Sequence, residues 1–223
     1  EPGLFDLDIA AYEKRIKRLA IVLKEKGCPV NIHWGIEIGL QPHITDKNNE
    51  VTKKYPFDLV IGSSHVVNGI GPYYPAFYKG KTEHEAYTEY FESILDNLHS
   101  GADFDVYGHI DYVVRYGPDK NKYYSCEKYA DIIDAILKEI ISQGKGIELN
   151  TAGFKYGLGH PNPTEDVLKR YHELGGEIIT VGADAHKPEH VAYDFDKVSN
   201  ILKDAGFMYY TVFENRVPAF IKL

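Results

Sequence analysis

Five side chains able to bind a metal ion or carry a proton fall where a βα protein places its chemistry. Glu37 closes one apolar strand-like segment, His65 a second, His109 a third, and Asp184 with His186 a later one; Asn150 ends the strand between them. In parallel βα folds the C-terminal strand ends form one rim, where loops and helix N-termini converge. A single histidine at a strand end is more often a hydrogen-bonded core residue than a ligand. Three imidazoles and two carboxylates on one rim are different, because grouping carboxylates with neutral imidazoles is costly unless a cation balances the charge. Imidazole plus carboxylate suits Zn, Mn or Fe, and one carboxylate has two oxygens with which to bridge two ions. Residues two apart in extended chain point the same way, so Asp184 and His186 can face one pocket. Gly62, Gly108 and Gly182 are small neighbours that leave room for close approach.

The segments that must hold these residues alternate. Ile9, Tyr12, Ile16, Leu19 and Leu23 have helical spacing, with Asp8 as N-cap and Gly27 as the stop. A strand is expected over 30–39, then an apolar strand over 57–66. Thr82 and Glu85 are spaced as a capping box for a helix over 82–99. Strand 104–110, a helix from Tyr129 to before Gly144, strand 146–150, a helix begun at Asn162-Pro163, strand 177–182, a helix through Val198–Ala205 and strand 207–213 complete the series. Alternation with buried strands implies a parallel sheet, either open or closed as a barrel. The six strands counted here, at roughly 30 residues per βα unit, leave a closed barrel one or two units short at the front.

Composition narrows the function classes. The formal charge of −8 disfavours sequence-independent binding to nucleic acid or to anionic lipid, so any phosphate recognised must meet a local cluster of cations. No run of apolar residues suits a membrane span, no secretory leader opens the chain, and two distant cysteines, Cys28 and Cys126, agree with a reducing compartment; cytoplasm is the expected location. Of the other histidines, His84, His99 and His172 read as solvated helix residues and His33 as a core contact. His43 and His160 lie in loops at the rim, each either a substrate contact or structural.

At the rim the chain resembles a known family. Gly35-Ile36-Glu37-Ile38-Gly39-Leu40-Gln41-Pro42-His43, Ile61-Gly62-Ser63-Ser64-His65, Gly108-His109-Ile110-Asp111, Glu148-Leu149-Asn150-Thr151-Ala152-Gly153 and Gly182-Ala183-Asp184-Ala185-His186-Lys187-Pro188 are similar, in order, to the histidinol-phosphatase branch of the PHP (polymerase and histidinol phosphatase) superfamily. The match runs from about Asp6 to Asn215. It implies a distorted (β/α)7 TIM-like barrel with up to three divalent transition-metal ions (Zn, Mn or Fe), hydrolysing L-histidinol phosphate to L-histidinol and phosphate in histidine biosynthesis. By the same resemblance, Glu37 is the carboxylate bridging two ions, His65 and His109 ligate one of them, Asp184 the other and His186 a third. Arg115 is the phosphate-binding arginine and Lys155 a second cation for the substrate. Asp184 or a nearby histidine would protonate the leaving alkoxide. Asp111 is either a partner for the His109 imidazole, a contact for the substrate ammonium, or part of a surface salt bridge.

The family pattern opens with a His-x-His pair, a further His and a Thr-Asp-His that this sequence does not contain. The expectation is therefore one barrel domain over 1–223, N-terminally incomplete, with its first one or two βα units absent and its activity as a separate chain low. Two alternatives remain at this stage: another phosphoesterase of the superfamily with a different small substrate, and a non-catalytic protein that keeps one structural ion. A nuclease or polymerase-associated module is disfavoured by the acidic charge. Oligomeric state is not encoded in any of these features.

Overall fold

Local signals set the helix ends. The Asp8 carboxylate accepts from the Ala11 N–H at 2.9 Å and caps α1 (Ile9–Glu25), and Gly27 (φ 68°) follows its end in the left-handed conformation that glycine tolerates. The computed structural model describes residues 7–223, so the first six, including Asp6 where the resemblance begins, lie outside the described residues. After α1 come β1 (Gly35–Gly39), α2 (Thr45–Lys54) and β2 (Leu59–Ser63). Then follows α3 (Glu83–His99), opened by the expected capping box: Thr82 Oγ1 accepts from the Glu85 N–H at 3.2 Å, and Glu85 Oε2 accepts from the Thr82 N–H at 2.7 Å.

The chain continues through β3 (Val106–Tyr107), α4 (Ala130–Ser142), β4 (Gly146–Asn150), α5 (Ala152–Lys155), α6 (Glu165–Glu173), β5 (Ile179–Gly182), α7 (Val198–Asp204), β6 (Tyr209–Glu214) and β7 (Val217–Lys222). Strands β1 to β5 form one parallel sheet in chain order, with Glu37 opposite Ile61, Ile61 opposite Val106, Val106 opposite Gly146 and Ile147 opposite Ile179. Sequential order with helical crossovers is the arrangement of a TIM-like βα sheet. Val60, Val106, Ile147, Leu149 and Ile179 are fully buried, and α3 and α4 cover them with Tyr87, Tyr90, Phe91, Ile94, Ile133, Ile136, Leu137 and Ile140. This packing fixes the strand ends in space, which is what the rim requires.

Two expectations are corrected, and two elements, β7 and α2, were not foreseen. The segment 207–213 is not a sixth parallel strand: β6 pairs antiparallel with β7, a strand that the sequence reading did not foresee. Asn215 (φ 53°) and Arg216 (φ 64°) are both left-handed, the backbone of a tight two-residue hairpin turn, and the chain doubles back there. The strand expected over 104–110 shrinks to two residues, because the backbone leaves the ladder at Gly108 and His109 takes φ 25°. Helix α2 was missed because Val51 is its only aliphatic residue and it buries only Thr45 and Thr52, leaving no apolar period to read. Among the described residues no helix is long and apolar enough to cross a membrane.

Candidate active site

The rim collects most of the expected residues. Glu37 projects from β1, and His65 and His109 each stand two residues beyond their strands. Glu37 Oε1 lies 3.2 Å from His109 Nε2 and 3.4 Å from His65 Nε2. One ligand atom from each of the three residues lies within 4.8 Å of the other two. The His65 and His109 rings meet edge to face at 5.1 Å, and Tyr112 packs on both at 4.9 and 5.1 Å, so the two imidazoles are held in place from the side.

Electrostatics mark this point as a cation site. Desolvation and then the charge of His109 push the His65 imidazole down to about 4, so it is neutral at pH 7 and free to be a ligand. Desolvation alone would raise Glu37, but the hydrogen bond and charge of His109 outweigh it and hold the carboxyl well below its usual range. His109 is pulled the other way: desolvation opposes its charging, and Glu37 overcomes that and raises it. The cluster thus favours positive charge in the space between Glu37 and His109, where a divalent ion would take the place of a proton with more charge and more ligand positions. His109 Nδ1 is buried without a hydrogen-bond partner, so the ring is oriented by packing and by what its Nε2 holds. Two neutral-capable imidazoles and one carboxylate fit a borderline divalent ion such as zinc.

Beside the triad stands a second group. Asp184, two residues past β5 in a left-handed conformation (φ 48°), accepts from Arg115 Nη1 at 2.7 Å, and its other oxygen lies 3.1 Å from His186 Nε2. Asp184 and His186 do face the same place, although the His186 side chain is 78% exposed. Lys155, the last residue of α5, donates to the backbone carbonyl of Asp184 at 3.0 Å and lies against Tyr156. The carboxyl of Asp184 is raised by desolvation and lowered further by Arg115, with a net downward shift that keeps it ionised.

Arg115, expected as the phosphate-binding arginine, is buried beside Asp184. Its side chain is 0% exposed, in a single 3-10 turn (Tyr112–Arg115) rather than an open loop. Its Nε donates to Asn162 Oδ1 at 2.8 Å and its Nη2 to Asn150 Oδ1 at 3.4 Å, and the guanidinium is sandwiched between Tyr112 and Tyr156 at 5.3 and 5.0 Å. Asp111 is likewise diverted. Its buried carboxylate accepts from Asn162 Nδ2 at 2.5 Å and from the Thr164 N–H at 3.1 Å, so it shapes the loop before α6 and meets neither the His109 ring nor solvent. His160 is not brought to the triad; its Nδ1 faces the Pro161 carbonyl at 2.7 Å and its Nε2 is buried unpartnered. His33, expected in the core, is exposed and 3.9 Å from Asp58. One buried carboxylate beneath the rim, Glu148, was missed; the alternation Glu148, Asn150 along a fully buried strand was the available signal.

Comparison with known proteins agrees with this geometry. Residues 7–152 match the family model of the PHP domain. The chain is 32% identical over 211 residues to the histidinol-phosphatase of Lactococcus lactis, covering 92% of this chain and 76% of that protein. It is 36% identical over 176 residues to a probable histidinol-phosphatase of Clostridium acetobutylicum, covering 77% and 66%. The crystal structure of the L. lactis histidinol phosphate phosphatase, complexed with zinc, L-histidinol and phosphate, superposes with a TM-score of 0.86 at 31% identity over 98% of this chain and 82% of that one. The chain belongs to the PHP family, in its histidinol-phosphatase branch.

Proposed function

We propose that the protein is a metal-dependent phosphomonoesterase that hydrolyses L-histidinol phosphate to L-histidinol and phosphate, in histidine biosynthesis. The observation that carries the reading is the convergence of Glu37 Oε1 with two imidazole Nε2 atoms, beside an Asp184 held by Arg115. The L. lactis relative, crystallised with zinc, L-histidinol and phosphate, supports the choice of substrate. In this reading Glu37, His65 and His109 hold one ion, and Asp184 and His186 belong to further positions in a site of up to three. Ions held by these residues would supply Lewis acidity to phosphate oxygens and a water of near-neutral pKa.

The chain's own groups do the rest. Arg115 pins one oxygen of Asp184, so the other stays aimed at His186 and the rim. Because Arg115 is covered, its charge acts as a fixed field on the phosphate site, and half-buried Lys155 is the cation with surface to offer a phosphate oxygen. Kept ionised beside Arg115, Asp184 serves in this reading as an ion ligand, and the proton for the leaving alkoxide is left to a nearby histidine. Tyr112 and the helix-borne core behind it exclude water from one side of the triad. The finer fold is a distorted seven-stranded barrel: β1 has no partner on its outer edge among the described residues, and this reading sets the first one or two βα units against it. A cytoplasmic location accompanies it, supported by two cysteines that are both free thiols.

The test is phosphate release by zinc- or manganese-loaded protein. The expected result is a kcat/KM for L-histidinol phosphate about 100-fold or more above that for glycerol phosphate, abolished by a chelator. Equal rates on both substrates would leave the assignment to L-histidinol phosphate wrong.

A further inference from the structure

Beneath the triad lies a carboxylate to which no role has been given. Glu148, at the centre of β4, is 6% exposed, and no Lys, Arg or His pairs with it among the described residues. Burial pushes its carboxyl up, the mark of a group placed at a cost. The flanking strands make space for it. A Cβ on Gly182, at the end of β5, would lie 1.9 Å from Glu148 Oε1, and one on Gly108, just past β3, would lie 3.5 Å from Oε2 and 2.5 Å from Ser63 Oγ. Side chains are therefore barred at Gly182, and crowded at Gly108, around this carboxylate.

Its hydrogen bonds say what the space is for. Glu148 Oε2 accepts from the backbone N–H of His109 at 3.3 Å and from Asn150 Nδ2 at 2.9 Å. His109 sits at φ 25°, a conformation that a residue with a Cβ adopts only when its surroundings enforce it. Asn150 in turn accepts from Arg115 Nη2 at 3.4 Å, and Arg115 donates to Asp184. One carboxylate thus joins the backbone beneath one candidate ligand to the side chain that holds another.

We infer that Glu148 is a positioning residue: by accepting from the His109 N–H it fixes the left-handed backbone that aims His109 Nε2 at Glu37. The inference rests on the reading of His109 as an ion ligand. Partners of this kind behind a ligand typically tune metal affinity by about 10- to 100-fold.

The experiment measures zinc affinity of the full chain by competition with a chromophoric chelator, with His109→Ala as the reference for what the triad binds and thermal melting as the check of folding. Glu148→Asp keeps the charge but withdraws the acceptor by one methylene, and should weaken zinc about 10-fold or more. Glu148→Gln keeps an oxygen acceptor within reach of the His109 N–H, and should stay within about 3-fold of the parent. Gly182→Ala, which collides with Glu148 without removing any acceptor, should weaken zinc in the same direction as Glu148→Asp. Parental zinc affinity in Glu148→Asp overturns the inference, and so does a loss in Glu148→Gln equal to that in Glu148→Asp, since charge rather than the acceptor would then matter. If His109→Ala itself leaves zinc affinity unchanged, the ligand reading of His109 fails, a distinct result from either of those.

Discussion

At the N-terminal end of the parallel sheet, Asp58, Asp103 and Asp105 gather around the hairpin turn; at the C-terminal end, Glu37, His65, His109, Asp184 and His186 gather around the rim. The first group closes on itself. Arg216 donates to both oxygens of Asp103 and both of Asp105 at 2.7–3.2 Å, Asp105 also accepts from the Val60 N–H, and Asp58 accepts from the Trp34 and Asn215 N–H groups. Each of these carboxylates has backbone donors or a guanidinium, and the result ties the C-terminal hairpin to the strand starts. In the second group Arg115 pairs with Asp184, but the part around Glu37 does not close. Two imidazoles approach the same oxygen of Glu37, the Ser63 hydroxyl lies beside the carboxylate, and no Lys or Arg pairs with it among the described residues. Charges paired with matching donors build a fold, whereas ligand atoms that converge on one unshared point specify an ion.

The largest expected effect is at the rim. His109→Ala removes the most buried imidazole of the triad and should lower kcat/KM for L-histidinol phosphate by about 1,000-fold or more, measured as phosphate release, while the melting temperature stays within a few degrees. Parental turnover in that variant would make the rim as structural as the opposite end. Arg115→Ala should be damaging in a different way. It leaves the Asp184 carboxylate and the buried Asn162 oxygen without their Arg115 donors, so folding stability should fall by about 3–5 kcal/mol, read as a loss of about 10 °C in Tm. An unchanged Tm would mean that the sandwich of Tyr112 and Tyr156 holds the loop without the ion pair.

Smaller effects are expected at the hairpin. Arg216→Met should lower Tm by about 3–6 °C and leave phosphate release intact. The deficit should depend on pH with a definite sign. The Arg216 hydrogen bonds hold Asp103 below its ordinary value, so its contribution is full above about pH 4 and disappears as pH falls through the depressed folded value. The difference in Tm between parent and variant should therefore be constant from pH 7 to 5 and shrink toward pH 2 to 3. A difference that grows on acidification would contradict the pairing.

The same contrast explains what was legible in the sequence. Glu37, His65, His109, Asp184 and His186 could be placed at one rim because a parallel sheet sends its strand ends to one side, and periodicity locates those ends to within a few residues. Helices α1, α3, α4 and α6 were found through apolar stripes and caps such as Asp8 and Thr82. Arg115 and Asp111 were identified by position but not by surroundings. Whether an arginine past a strand faces solvent or lies between Tyr112 and Tyr156 depends on a loop path that no local period encodes. Arg216 and the turn it sits in were missed for the same reason: its partners Asp103 and Asp105 lie more than a hundred residues away. Glu148 was visible only as a charge in a buried strand, and its use became apparent with the glycines on either side.

The most direct measurement of the central claim is thermal melting of the protein with and without zinc, in the parent, in Glu37→Gln and in Arg216→Met. A ligand at 100 times its Kd stabilises the folded state by about 2.7 kcal/mol, or roughly 5–10 °C for a chain of this size. That rise is expected in the parent and in Arg216→Met, and its loss in Glu37→Gln. The same rise in Glu37→Gln, or no rise in the parent, would contradict the claim.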